Sequence, residues 1–219
     1  MSFEQLILVL IVAIFSSVII LKIIKKKQLE FIEKYRFNSA IGKKILQRYP
    51  HLTQAQVQQV LEALRDYFFI CKMAKRRMTS MPSQVVDVAW HEFILFTHAY
   101  QSFCKKAFGR FLHHTPAEAM HTPTMAQGGI KRTWRLACVR SNINQKKPTQ
   151  LPLLFAIDEE LNIEDGFKYA LNCKDKSSTD SRVVYCATSI GCTSCSSSID
   201  GDGGFGSCSS CGGGCGGGD

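Results

Sequence analysis

The first strongly patterned stretch of the chain is apolar throughout. Leu6 to Leu21 read LILVLIVAIFSSVIIL, sixteen positions without a charge, and Ile23 and Ile24 extend the run. A helix needs about 20 predominantly apolar residues to cross a bilayer. The run therefore predicts a transmembrane anchor, with the lipid bilayer as the partner of residues 6–24. A cleaved secretory signal is the main alternative, but no basic segment precedes the run and no small-residue cleavage site follows it.

Lysines follow the apolar run and predict its orientation. Four lie within six residues of its end, whereas Glu4 is the one charged residue before it. Cytoplasmic flanks of membrane helices carry an excess of Lys and Arg, so we expect a single-pass protein with its N-terminus outside and its C-terminal domain in the cytoplasm. That compartment keeps thiols reduced, which favours free cysteines or metal ligands over disulfides. The lysines are Lys22, Lys25, Lys26 and Lys27.

Beyond the lysines, helical periodicity predicts a mainly α fold. Thr53 and Gln56 form a capping-box pattern at the start of one helix, and the apolar positions that follow share one face. A long helix is expected to start near Ser83, after Pro82, and to end at Gly109. The apolar face comprises Val57, Val60, Leu61, Leu64, Phe68 and Cys71. Other elements expected are one or two helices over 28–49, divided near Asn38 or Ser39, a loop over 110–129, a helix over 131–140, and a strand at 183–187. One short helix or two are expected over 153–169, with Asp158 or Asn162 as a candidate cap.

The C-terminal segment has a different composition. Gly, Ser and Cys occupy 24 of the 32 positions from 188 to 219, which is too little apolar surface to offset the chain entropy of folding. We therefore divide the chain into an anchor at 1–27, a small cytosolic helical domain at 28–175 and a disordered Gly/Ser/Cys-rich tail at 176–219. Four tail cysteines have paired C-x2-C spacing, which suits a tetrahedral zinc site. They are Cys192, Cys195, Cys208 and Cys211.

A second candidate metal site lies near the middle of the chain. Asp87 and His91 are four residues apart, so on a helix both side chains can reach one ion. His98 lies on the same helical face, and His113 and His114 follow Gly109, where the chain can fold back. A set of one carboxylate and two imidazoles suits zinc, iron or manganese. The alternative is a hydrogen-bonded Asp87–His91 pair that only stabilises the helix.

The same stretch resembles a known family. Residues 87–116, DVAWHEFILFTHAYQSFCKKAFGRFLHHTP, are similar to the uncharacterised glycine-rich domain-containing protein-like family, of the bacterial type. The resemblance covers roughly Ala55 to Cys173 and implies a helical fold without an established activity. Phe93 stands where many members have a second histidine. The shared positions are Asp87, Trp90, His91, Tyr100, Cys104, Gly109, His113, His114, Trp134, Leu151 to Asp158, Gly166, Tyr169 and Cys173.

Three functions fit these features. The first is a membrane-bound binding or scaffold module, with a divalent metal such as zinc and a protein partner that the sequence does not identify. The second is a metal-dependent enzyme that uses the Asp87/His91 face and a downstream histidine, although no general base or nucleophile can be singled out. The third, a binder of nucleic acid or anionic surfaces, rests on the net charge of +9. It ranks last because the charge falls to +5 without the four anchor lysines and no nucleic-acid motif is present.

Overall fold

The structure, a computed structural model, describes residues 2–114, 123–145, 147–171, 184–186 and 190. Across these residues the chain is mainly helical, which confirms the predicted fold class. The elements are α1 (Phe3–Glu33), α2 (Ser39–Arg48), α3 (Gln54–Met73), α4 (Gln84–Leu95), α5 (Thr97–Phe108), α6 (Pro123–Arg140), α7 (Leu153–Glu160), β1 (Lys168–Ala170) and β2 (Val184–Cys186).

Helix α1 has two different surroundings along its length. Its apolar N-terminal part is exposed, is long enough to cross a membrane and has none of its residues buried by the rest of the protein. A signal sequence at the N-terminus would have the same length and composition. The C-terminal part enters the core, where Ile32 is fully buried and the Tyr35 ring, just beyond the helix, lies 4.6 Å from that of Phe103. One continuous helix therefore joins the apolar segment to the packed domain.

Helix α3 forms the centre of the core, since it contacts α1, α2, α4, α6 and α7. Thr53 caps it, and the capping box with Gln56 is present as predicted. The predicted apolar face is buried, Cys71 included, and its Phe68 ring packs against Trp90 and Phe103. Asn38 caps α2, which confirms the division predicted near that residue.

The helix predicted over 83–109 has the right ends but is two helices. Ser83 caps α4 and Gly109 ends α5 with a positive φ of 71°. Phe96 interrupts the run between them, at φ −79° and ψ 60°. In a straight helix, Trp90 and Tyr100 would be about 15 Å apart along the axis. The turn brings them together, so that Trp90 Nε1 donates to the Tyr100 hydroxyl at 3.1 Å and both rings enter the core.

The C-terminal part of the domain differs from the prediction in two places. The helix expected over 131–140 begins already at Pro123, because proline suits a first helical position whose N–H has no partner inside the helix. Within 153–169, where one short helix or two are expected, α7 ends at Glu160, and Asn162 follows in the left-handed region at φ 52°. Strand β1 follows and pairs in parallel with β2, which confirms the strand predicted at 183–187.

The remaining predictions concern the chain ends. The predicted tail lies outside the described residues, apart from 184–186 and 190, and so do the four cysteines of its candidate zinc site. The proposed boundaries after residues 27 and 175 stay predictions. Helix α1 runs through the first of them without a break.

Candidate metal centre

The candidate site starts from the first two turns of α4. Asp87 lies in the first turn, four residues after the Ser83 cap, and His91 lies one turn later. Their spacing places both side chains on one face, with His91 Nδ1 at 3.5 Å from Asp87 Oδ2. The Asp87 side chain is 24% exposed and that of His91 is 47% exposed, so the pair opens towards the surface.

His114 completes the group from a distant part of the chain. The left-handed Gly109 ends α5 and lets the chain return to α4. A carboxylate can only accept, so His114 Nε2–H donates to Asp87 Oδ1 at 2.8 Å. The ring of His114 packs 4.2 Å from that of His91 and 4.3 Å from that of Trp90. Its side chain is only 10% exposed, so it forms the inner wall of the site.

A hydrogen-bond chain holds the segment that carries His114. The Tyr100 hydroxyl accepts from Trp90 Nε1 and donates to the carbonyl of Leu112, two residues before His114. Burial raises the pKa of Tyr100 well above its usual range, so the phenol keeps its proton and remains a donor. Trp90 lies on α4 beside His91, so the chain ties the returning segment to the helix that bears the other two residues.

The three residues fit a divalent metal ion. One donor atom from each of Asp87, His91 and His114 lies within 4.8 Å of the others. Ligands at about 2.0–2.2 Å from a tetrahedral zinc ion are roughly 3.3 Å from one another. His114 Nε2 lies 2.8 Å from Asp87 Oδ1 and His91 Nδ1 lies 3.5 Å from Asp87 Oδ2, so each imidazole is close to that separation from one of the two carboxylate oxygens. As ligands of a tetrahedral ion, the three residues would leave one coordination position free, as in a catalytic zinc site.

The other sequence candidates lie apart from this group. His98 is exposed on α5, beyond the break at Phe96, so it no longer shares the face of Asp87. His113 is exposed and its ring packs on Phe111 at 4.9 Å. Cys104 is fully buried, and burial raises its pKa, so it stays a protonated thiol rather than a metal ligand or nucleophile.

Sequence reasoning missed the residue that fixes the start of α4. Asp158, expected as a cap within its own segment, instead accepts hydrogen bonds at the N-terminus of α4, from Ser83 Oγ at 2.6 Å and from the backbone N–H of Gln84 and Val85. It also accepts from the Phe167 N–H. The partners on α4 are more than 70 positions away, so no local pattern indicates this cap. It sets the position of Asp87, one turn further along.

Comparison with known proteins identifies a family. A family model described as UCP032817-like matches residues 27–190. The chain belongs to the UCP032817-like family. The match begins after the apolar run and includes Asp87, His91 and His114. No curated protein and no solved structure matches the chain. Membership in the UCP032817-like family carries no established activity; the glycine-rich family name and the bacterial type stay predictions.

Proposed function

We propose that the chain is a single-pass membrane protein whose cytoplasmic helical domain binds one divalent metal ion of the zinc class. The ligands are Asp87, His91 and His114. One observation carries the proposal: the fold brings His114 back to the Asp87–His91 pair so that three donor atoms share one small volume. The domain acts as a binding module for a protein partner, with the metal ion at its surface.

The surroundings of the three residues support metal binding. Asp87 and His91 lie on one helix. The segment that carries His114 is held by the Trp90–Tyr100–Leu112 hydrogen bonds, and the His114 ring packs on Trp90. Groups that orient ligands in this way are worth about 10–100-fold in metal affinity. The half-exposed His91 gives an ion access from solvent.

The membrane part of the proposal rests on α1. Its apolar side chains from Leu6 to Ile24 are exposed around the whole helix. Contact of so large an apolar surface with water is unfavourable. The four lysines at its C-terminal end, Lys22, Lys25, Lys26 and Lys27, favour the cytoplasm for the rest of the chain. Residues 6–24 are therefore the contact with the bilayer.

Metal analysis tests the site. Purified full-length protein is expected to hold about one equivalent of zinc after loading and desalting, since the triad provides one site. Asp87→Asn keeps the size of the side chain but replaces an anionic ligand by a neutral amide oxygen, so we expect zinc to bind about tenfold more weakly. Competition with a chromophoric chelator measures both affinities.

Glu92→Gln is the matched control for this experiment. Glu92 is a neighbouring carboxylate on α4 outside the triad, and its variant loses the same charge. We expect it to bind zinc like the wild type. Equal affinity in all three proteins, or no stoichiometric zinc in the wild type, would refute the proposed site.

Reporter fusions test the topology. A fluorescent protein fused after Asp219 is expected to fluoresce and alkaline phosphatase at the same point to be inactive, because the lysines keep that end in the cytoplasm. Replacing all four lysines by glutamine should weaken this bias. An active phosphatase fusion to the unaltered chain, or an intact mass that lacks the residues up to 27, would contradict an anchored, C-terminus-inside protein.

A further inference from the structure

The end of the domain nearest the apolar segment is strongly basic. Helices α1 and α3 run antiparallel, as their contacts show. Lys72 Nζ donates to Gln28 Oε1 near one end, and Arg65 donates to the Tyr35 carbonyl at 3.1 Å near the other. The C-terminus of α3 therefore lies beside the part of α1 that follows the apolar run. We call the cations gathered there the basic pole. They are Lys25, Lys72, Lys75, Arg76, Arg77 and Arg110.

Three elements meet at the basic pole. The Gln28 side chain of α1 accepts a hydrogen bond from Lys72 of α3 and lies close to Gly109 at the end of α5. Arg110 then donates to the Lys75 carbonyl at 3.2 Å, which joins the α5 end to the α3 end. Burial, followed by the proximity of Lys25 and Arg110, lowers the pKa of Lys72. The charged groups that act on Lys72 are thus cations, and Glu30, two residues beyond Gln28, is the first acidic residue of α1 after the apolar run.

The acidic contacts of the same helices lie further from the apolar run. Arg140 bridges Glu33 of α1 and Asp66 of α3, with its Nε at 3.2 Å from Asp66. Glu33 is five residues beyond Gln28, so this bridge is about 7.5 Å further along α1. The domain is therefore polarised along α1, with cations at the end that the apolar segment enters.

The basic pole lies at the depth of lipid headgroups if α1 spans the bilayer. Gln28 follows Ile24 by four residues, or about 6 Å of helix. Each headgroup layer is roughly 5–7 Å thick outside the hydrocarbon core. The side chain of Lys72 reaches Gln28, and that of Arg110 lies nearby. Both therefore lie at the depth of the lipid phosphates.

From this placement we propose that the basic pole binds the phosphate groups of anionic lipids in the bilayer that α1 crosses. The binding would hold the domain against the membrane in one orientation. This inference rests on the membrane anchor of the proposed function but not on its metal site. The two can therefore fail separately.

Lipid retention tests the inference. Full-length protein in nanodiscs of phosphatidylglycerol and phosphatidylcholine, in equal amounts, is extracted gently, and the lipids that remain bound are measured by mass spectrometry. We expect enrichment of phosphatidylglycerol in the wild type. A surface Lys or Arg is worth about fivefold in attraction to anionic lipid, so Lys72→Gln with Arg110→Gln should reduce the enrichment by roughly tenfold or more.

Lys43→Gln with Lys44→Gln removes two exposed cations from α2, beyond the far end of α1, and should keep the enrichment. Equal retention in both double variants would overturn the proposal, as would loss of the enrichment when free phosphate is added at low concentration. Release of the wild-type protein from membranes by alkaline buffer would also overturn the proposal, because it would show that α1 is not a membrane anchor. Zinc content measured on the same samples shows the state of the metal site independently.

Discussion

Asp158→Ala is expected to lower the free energy of unfolding of the helical domain by about 3–5 kcal/mol. The carboxylate accepts four hydrogen bonds, and its removal leaves the Ser83 hydroxyl and three backbone N–H groups without their partner. Because Asp158 is only 2% exposed, water cannot readily replace the lost acceptor. The free energy of unfolding of natural domains is about 5–15 kcal/mol in total, so this loss is a large share of it. Urea unfolding followed by tryptophan fluorescence measures it, since Trp90 and Trp134 are both buried in this domain.

Two further variants separate the cap from the mere loss of a charge. Asp158→Asn keeps one acceptor oxygen and is expected to lose less stability than the alanine variant. Asp165→Ala removes a carboxylate that is 43% exposed, contacts Arg48 at 3.7 Å and accepts from the Tyr49 hydroxyl at 3.2 Å. One exposed ion pair and one hydrogen bond are worth about 1–2 kcal/mol together, less than the loss expected for Asp158→Ala. Similar losses in Asp158→Ala and Asp165→Ala would show that the buried network does not stabilise α4.

Local signals explain why the sequence predicted most helix ends. Asn38, Thr53 and Ser83 cap helices through side-chain oxygens that accept from backbone N–H groups within three residues. Gly109 ends α5 because it can adopt a positive φ without a Cβ clash. These effects depend only on neighbours in sequence, so they can be recognised from the sequence alone.

Contacts between distant segments explain what the sequence did not predict. No glycine or proline marks the break at Phe96. The break allows Phe103 to pack on Phe31 of α1 and Tyr100 to pack on Phe93 of α4. Asp158 accepts from the nearby Phe167 N–H and from the start of α4, and the partners on α4 come within reach only because α7 packs on α4. Pairing of β1 with β2 likewise joins residues that are sixteen positions apart.

The candidate site depends both on local spacing in the sequence and on contacts between distant segments. The i, i+4 spacing alone placed Asp87 beside His91. It could not choose among His98, His113 and His114, because that choice depends on the break at Phe96 and on the path of the chain after Gly109. The Trp90–Tyr100–Leu112 chain of hydrogen bonds makes the choice, and it places His114 rather than its neighbour against Asp87.

The adjacent histidines therefore offer the sharpest test of the site. His114→Ala removes one of three ligands and the hydrogen bond to Asp87, so we expect zinc affinity to fall by at least about a hundredfold. His113→Ala removes an exposed imidazole outside the triad and should leave the affinity unchanged. The two proteins have the same composition, so general loss of imidazole cannot account for a difference. Chelator competition on full-length protein measures both.

Folding must be monitored in the same samples, because His114 also packs on Trp90. Loss of its hydrogen bond is expected to lower the free energy of unfolding by only about 1–2 kcal/mol, which leaves the domain folded. Zinc should raise the unfolding midpoint of the wild type and of His113→Ala but not of His114→Ala, since an ion that binds only the folded state stabilises it. A midpoint that zinc raises equally in all three would mean that the ion binds elsewhere, and Asp87 and His114 would then serve only to tie the returning segment to α4.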